Sequence, residues 1–343
     1  MSTRKNLPKL DPTDPEVFMN RRRFVRNLGL GAAGCAVGGA MTIKYGSWAF
    51  GQSGRVKAGD ALKPPFARPE VFPAKRNPAF SAKELSVTPR TVAATHNNFY
   101  EFLPGEGGPV YKYVGNFVVE PWKVEVSGLC EKPMTFDLDD LFKFEHEERV
   151  YHFRCVETWS MNVPWSGFPL KKLLEKVEPK SEAKYVRFVS ANRPNQMPGI
   201  EKADYYEWPY FEALRMDEAM NDLTLIATGI YGKPLLKQHG SPVRIVCPWK
   251  YGYKNPKSIV KIELVESKPR TFWTATSPSE YGFLSNVNPN IPHPRWSQAQ
   301  EYALGNRRKR NPTKIFNGYG EFVAKLYPDE PTTPLAIAPN PPR

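Results

Sequence analysis

Apolar and polar residues alternate through Trp122-Lys123-Val124-Glu125-Val126, as in a strand with one buried face, and the run ends at Ser127-Gly128. Leu138, Leu141 and Phe142 recur at helical spacing in a short acidic helix. Val150–Cys155 reads as a strand that runs into a Pro-containing loop, Ser160–Gly167. Leu170, Leu173, Leu174 and Val177 put an apolar stripe on a further helix, stopped near Pro179. Strands are predicted at Tyr185–Ala191, Leu223–Tyr231, Val243–Pro248 and Ser258–Val265, with a short helix around Phe211–Met220. In the last strand Val260, Ile262 and Leu264 share one face, Lys261 and Glu263 the other. No internal repeat is visible and no break separates Thr91 from Val265. The pattern is α+β, a single domain of mixed β-sheets and short helices.

The ends read differently. Asn20-Arg21-Arg22-Arg23-Phe24-Val25-Arg26 fits a twin-arginine export pattern, and the apolar stretch Leu28–Met41 behind it is diluted by five glycines. That stretch is too short and too weakly apolar for a stable membrane span, so residues 1–50 read as a leader and the mature chain has no span. Residues 51–90, rich in Pro, Lys and Arg, read as an extended arm that wraps the domain or stays mobile. The catalytic domain is placed at 91–300, and 301–343 reads as an irregular C-terminal arm. The aromatic and Pro-rich stretch after Glu266 is too short for a second sandwich domain.

The formal net charge is +13, of which +8 lies beyond Phe50, much of it in Lys250–Lys261 and Arg307–Lys314. Such a balance suits an anionic cofactor, an anionic surface or nucleic acid, but no nucleic-acid motif is present and an exported chain would not meet DNA. Of the four cysteines Cys35 falls in the leader. The odd remainder, Cys130, Cys155 and Cys247, leaves one thiol in need of a reason to stay unpaired, and a metal would supply it.

Four segments stand out: Asn97–Phe102, Arg154–Ser160, Gly240–Arg244 and Pro248–Ile259. In the last, Lys250, Lys254 and Lys257 on an inter-strand loop, with Gly252 and Ser258, suit a phosphate group, and Arg244 adds a forked donor. Arg154 beside Cys155 would favour thiolate, the form that binds soft metals. Taken singly, a basic loop is as readily a solvated surface, and a lone Cys a small buried hydrophobe; Cys130 and Cys247, in apolar strand sequence, read that way.

Together, the stretches RCVETWSMNVPWSGFPL from Arg154, PWKYGYK from Pro248 and HPRWSQA from His293 resemble the sulfite-oxidase-type molybdopterin-binding fold. The resemblance is closest to the periplasmic protein-methionine-sulfoxide reductases, and runs from about Asn97 to Trp296. It implies a molybdopterin cofactor with one molybdenum, Cys155 being the protein's thiolate ligand. It implies cofactor contacts at Asn97, Tyr100, Glu101, Ser190, His239, Arg244, Asn255, Pro256 and Lys257. Ser190 stands where the family has Thr, His239 where it has Asn, and Asn255-Pro256 where it has Gly-Ile. Pro256 brings no N–H donor, which leaves Lys257 the firmest of its turn.

The implied reaction is oxygen-atom transfer from methionine sulfoxide in oxidised periplasmic proteins. Glu157 is the candidate proton donor or tuner beside the thiolate, and His152 and Trp159 are either pocket lining or core. The implied electron donor is a haem-containing membrane subunit fed by the quinone pool. This chain carries no Cys-x-x-Cys-His motif of its own. A sulfite dehydrogenase would share fold and thiolate but usually appends a dimerisation domain; a non-catalytic binding protein would hold no molybdenum.

Overall fold

In a computed structural model that describes residues 60–80, 86–103, 109–306 and 308–334, two mixed sheets carry the fold. The leader and parts of both arms lie outside those residues. In chain order the strands are β1 (Lys75–Arg76), β2 (Lys123–Gly128), β3 (Met134–Asp137), β4 (Glu147–Arg154), β5 (Trp159–Pro169), β6 (Tyr185–Ser190) and β7 (Phe211–Arg215). Then come β8 (Leu225–Ile230), β9 (Lys233–Pro234), β10 (Arg244–Val246), β11 (Ile259–Val265), β12 (Gln300–Ala303) and β13 (Arg310–Pro312). One sheet runs β3-β2-β11-β6-β7; the other runs β1-β4-β5-β12-β13, with β8 also on β5 and β9 and β10 on β8.

The segment read as a Pro-containing loop is instead β5, an 11-residue strand at the centre of the larger sheet. Pro164 is tolerated there because of where it sits. Its carbonyl accepts from Tyr231 N–H at 2.9 Å, so its missing N–H would point to the same side, just past the end of β8. The length of β5 lets one edge serve two partners: Trp165–Pro169 pairs β8, and Trp159–Ser160 pairs β12 in parallel. At Gly167, where the β8 register shifts, a Cβ would lie 1.9 Å from the Ile226 carbonyl, so only glycine fits.

Two further expectations change. Phe211–Met220 is half strand: Phe211–Arg215 pairs β6 antiparallel, and only Met216–Ala219 is helical. In β11 a register shift between Ile259 and Lys261 breaks the alternation, so Ile259, Ile262 and Leu264 are buried while Val260 is only half-buried. The helix Leu170–Val177 does bury Leu170, Leu173, Leu174 and Val177 completely.

The described part of the N-terminal arm packs on the domain. β1 adds to β4 in parallel, Arg76 pairs Glu148 at 2.7 Å, and Gln238 Nε2 donates to the Ala61 carbonyl at 2.8 Å. The tail contributes β12 and β13 to the larger sheet, so it is not wholly irregular. Among the described residues no helix is long and apolar enough to cross a membrane.

Candidate active site: a cavity between the Cys155 turn and a cationic wall

β4 and β5 are joined by a tight turn whose first residue is Cys155. Cys155 N–H donates to the Trp159 carbonyl at 2.9 Å and Thr158 N–H to the Cys155 carbonyl at 3.1 Å. Thr158 closes the turn at φ 72, costly for a β-branched residue. The turn is held from behind: Trp296 Nε1 and Gln298 Nε2 both donate to the Val156 carbonyl, at 2.9 and 2.8 Å.

The Cys155 thiol faces a cavity enclosing about 830 Å³ counted to its open mouth. Asn98 Nδ2 lies 3.6 Å from its Sγ and donates to Glu157 Oε2 at 2.9 Å. Trp159 Nε1 donates to the same carboxylate oxygen at 3.0 Å, and that oxygen is 3.8 Å from Sγ. Glu157 is thus fixed beside the sulfur by two neutral donors.

Arg154 does not serve the thiol as its sequence position suggests. Its guanidinium pairs Glu301 at 3.1 Å, donates to Gln298 at 2.8 Å, and reaches the carbonyl of Cys155. Burial, seconded by the Glu157 charge, pushes the Cys155 thiol well above its usual range; the Glu157 N–H and the Arg154 charge only soften the effect. A thiolate here therefore needs a cation in the cavity itself.

The opposite wall supplies positive charge. Arg244, buried on β10, donates to the carbonyls of His239 (2.9 Å), Ile245 (3.2 Å) and Asn255 (3.3 Å), and no carboxylate pairs with it among the described residues. Burial lowers it to about 9, still a cation at neutral pH. Burial, with Arg244 nearby, lowers Lys257 to about 8, and burial raises Glu101 to about 7 against the opposing charge of Lys257. His239 Nε2–H donates to the Ala93 carbonyl at 3.0 Å, and burial holds the ring down at about 4, a neutral imidazole with Nδ1 free to accept.

The structure therefore brings Asn97, Tyr100, Glu101, Cys155, Glu157, His239, Arg244 and Lys257 to one cavity. Ser190, Asn255 and Pro256 are not among the residues that line it. Asn255 is spent on its own turn: Oδ1 accepts from Cys247 N–H, and Nδ2 donates to the Tyr251 and Gly252 carbonyls at 3.2 Å. The Pro256 carbonyl accepts from Ile245 N–H at 3.1 Å. Lys250 and Lys254 leave the anion site altogether, buried in ion pairs with Glu218 (2.7 Å) and Glu212 (2.5 Å). Ser258 Oγ donates to the Ser241 carbonyl at 2.7 Å. Of the two residues read as pocket lining or core, Trp159 lines the cavity, while His152 binds Asn162 and Glu301 elsewhere. Cys130, Cys155 and Cys247 are all free and buried, so no Cys130–Cys247 bridge forms.

Sequence reading missed Asn98, Tyr210, Trp273 and Tyr281, all cavity residues. Asn98 stood within a segment already singled out. Trp273 and Tyr281 come from the stretch after β11, where no periodicity marks them.

The donor set fits a molybdopterin. Asn97 Oδ1, Asn98 Oδ1 and His239 Nδ1 are buried with no hydrogen-bond partner, an unusual concentration at one site. Two cations, Arg244 buried and Lys257 half-buried, line the same cavity with no carboxylate bonded to either among the described residues. Among the described residues no three His, Cys, Asp or Glu side chains cluster as a metal site, so a metal at Cys155 would arrive with ligands of its own.

Comparison with known proteins agrees. The family profile of the oxidoreductase molybdopterin binding domain matches residues 111–273. The chain is 46% identical over 328 residues to the "Protein-methionine-sulfoxide reductase catalytic subunit MsrP" of Burkholderia mallei, covering 94% of this chain and 93% of that one. It is 43% identical to the protein of the same name from Ralstonia nicotianae, covering 94% of each. The sulfane dehydrogenase SoxCD from Paracoccus pantotrophus, a solved structure, aligns more loosely: TM-score 0.41, 20% identity, 64% of this chain and 55% of that one. By its identity to full-length relatives, the chain belongs to the family of protein-methionine-sulfoxide reductase catalytic subunits, molybdopterin oxidoreductases.

Proposed function

We propose that this chain reduces methionine sulfoxide in proteins to methionine, at a molybdopterin held between the Cys155 turn and the cationic wall. The observation that carries the reading is the pairing of a free, cavity-facing thiol with the cations Arg244 and Lys257, neither of them hydrogen-bonded to a carboxylate among the described residues. Arg244 and Lys257 would bind the anionic phosphate end, with Asn97 and His239 offering their unpaired Oδ1 and Nδ1 to the pterin. Cys155 would ligate molybdenum. When bound, the cofactor supplies two-electron oxygen-atom transfer chemistry.

The protein's own share is orientation and protons. Sulfoxide reduction consumes two electrons and two protons and releases methionine and water. We assign the proton relay to Glu157: its Oε2 accepts from Asn98 and Trp159 beside the sulfur, which leaves the other carboxylate oxygen to carry a proton to the departing oxygen. Tyr100 and Trp273, edge to face at 5.1 Å, give the cavity an aromatic side suited to the thioether carbons and sulfur of the substrate.

The leader pattern at Asn20–Arg26 supports twin-arginine export and a periplasmic location. The relatives' designation as catalytic subunits supports a separate electron donor, which we assign to a haem-bearing membrane subunit drawing on the quinone pool. The test is purification after expression with cofactor, then assay with reduced viologen and a methionine-sulfoxide peptide. The reading expects the peptide to lose its oxygen by mass spectrometry and sulfite to go unoxidised. Sulfite oxidation without peptide reduction would overturn it.

A further inference from the structure

Beside the cavity lies a second, larger depression, about 1170 Å³ counted to open solvent. The two share a wall, since Val156 and Tyr253 line both. Its apolar side includes Phe283, Leu284 and Ile291, and Ile291 is 37% exposed, high for so large an apolar side chain. Its charged rim is acidic in a protein of formal charge +13. Asp329 and Glu330 have no cation partner among the described residues; Glu330 is fixed by Asn286 and Asn288, at 2.8 and 2.9 Å. The other rim charges are matched: Glu280 by Arg295 at 2.8 Å, and Arg215 by Asp217 at 2.6 Å.

A side-chain cavity alone accounts for recognition of a sulfoxide, not of a polypeptide. A protein substrate brings main chain on both sides of the oxidised residue, and that chain must run along the surface next to the mouth. We infer that this groove docks an extended segment of the oxidised protein, apolar and bearing Lys or Arg near its methionine sulfoxide. The inference rests on the proposed function and names the substrate class of that same site. The shared wall sets the geometry: with the sulfoxide beside Cys155, the neighbouring residues pass Val156 and Tyr253 into the groove. Ile291 and Phe283 receive apolar side chains, and Asp329 and Glu330 receive the basic ones. Binding energy gathered there, away from the reacting sulfur, is what separates an oxidised protein from the free amino acid.

The test uses holoprotein with reduced viologen, so that docking of a natural donor plays no part. Free methionine sulfoxide is compared with a peptide carrying one methionine sulfoxide between lysines. Ile291→Asp and Asp329→Lys are each expected to raise the peptide KM about fivefold or more, while kcat and KM for free methionine sulfoxide stay at wild-type values. Replacing the peptide's lysines by glutamates should raise KM for wild type and lower it for Asp329→Lys. Equal changes with both substrates, or none with the peptide, would overturn the inference. Fluorescence anisotropy of the labelled peptide reads docking without turnover. A protein that binds the peptide through Asp329 yet reduces no sulfoxide would refute the proposed function and leave the groove standing.

Discussion

The indole of Trp296 donates to the carbonyl of Val156 at 2.9 Å, one residue beyond the thiol that faces the cavity. With Gln298 on the same oxygen at 2.8 Å, that carbonyl draws both its bonds from a segment more than a hundred residues downstream. The pair holds a turn whose Thr158 sits at φ 72, a conformation the turn would otherwise tend to leave. Removing both donors, as Trp296→Phe with Gln298→Leu, takes both bonds from a half-buried carbonyl, at a cost of about 1 kcal/mol. Cys155 in the cofactor-free double variant should react several-fold faster with iodoacetamide than in the unaltered protein, with Cys155→Ser as blank. An unchanged alkylation rate would mean that the turn keeps its shape unaided.

Arg244 tests the cationic wall. Its hydrogen bonds all go to main-chain carbonyls, leaving its charge for a ligand. Arg244→Gln should lower the molybdopterin retained through purification about tenfold or more, the loss of one charge-assisted contact of roughly 1.5–3 kcal/mol. Pterin released on denaturation and read by fluorescence measures it. Full retention would place the phosphate end elsewhere.

His239 makes a prediction about pH. Its imidazole is held at about 4, against the ordinary 6.5. Between those values the unfolded chain binds a proton that the folded chain does not, so stability rises with pH through the window and is lost on acidification from 6.5 towards 4. The full effect is about 3 kcal/mol. Glu101, raised to about 7, acts in the opposite sense between 4.5 and 7, so the contribution is isolated by subtracting the His239→Gln profile. Urea unfolding of the cofactor-free protein across that range measures it. Parallel profiles would show that His239 titrates normally.

Lys250 and Glu218 form a fully buried pair that Tyr327 and Asn286 complete, tying the tail to the domain. Glu218→Gln should cost about 3–5 kcal/mol, because an unpaired ammonium stays buried. The double replacement Lys250→Met with Glu218→Leu should recover most of that loss. Denaturant midpoints of the two variants decide it.

What was legible in the sequence follows a physical line. β2 and the helix Leu170–Val177 show in their periodicity because each has one buried and one more exposed face. β5 is buried on both faces and carries Pro164, so neither alternation nor composition marks it as a strand. Cys155, Arg244 and Lys257 were readable through their motifs, since chemistry constrains residue type. Lys250 and Lys254 lie in the same basic run as Lys257, and only their buried carboxylate partners on distant segments separate structural from ligand-facing lysines. Trp273 and Tyr281 join the cavity through tertiary packing alone, which no local pattern records.

The most direct test of the central claim is turnover of a methionine-sulfoxide peptide by holoprotein and by Cys155→Ala, each with its molybdenum content measured in the same preparation. The account predicts about one molybdenum per chain with peptide reduction in the first, and loss of reduction in the second. Wild-type turnover by Cys155→Ala with molybdenum still bound would contradict it.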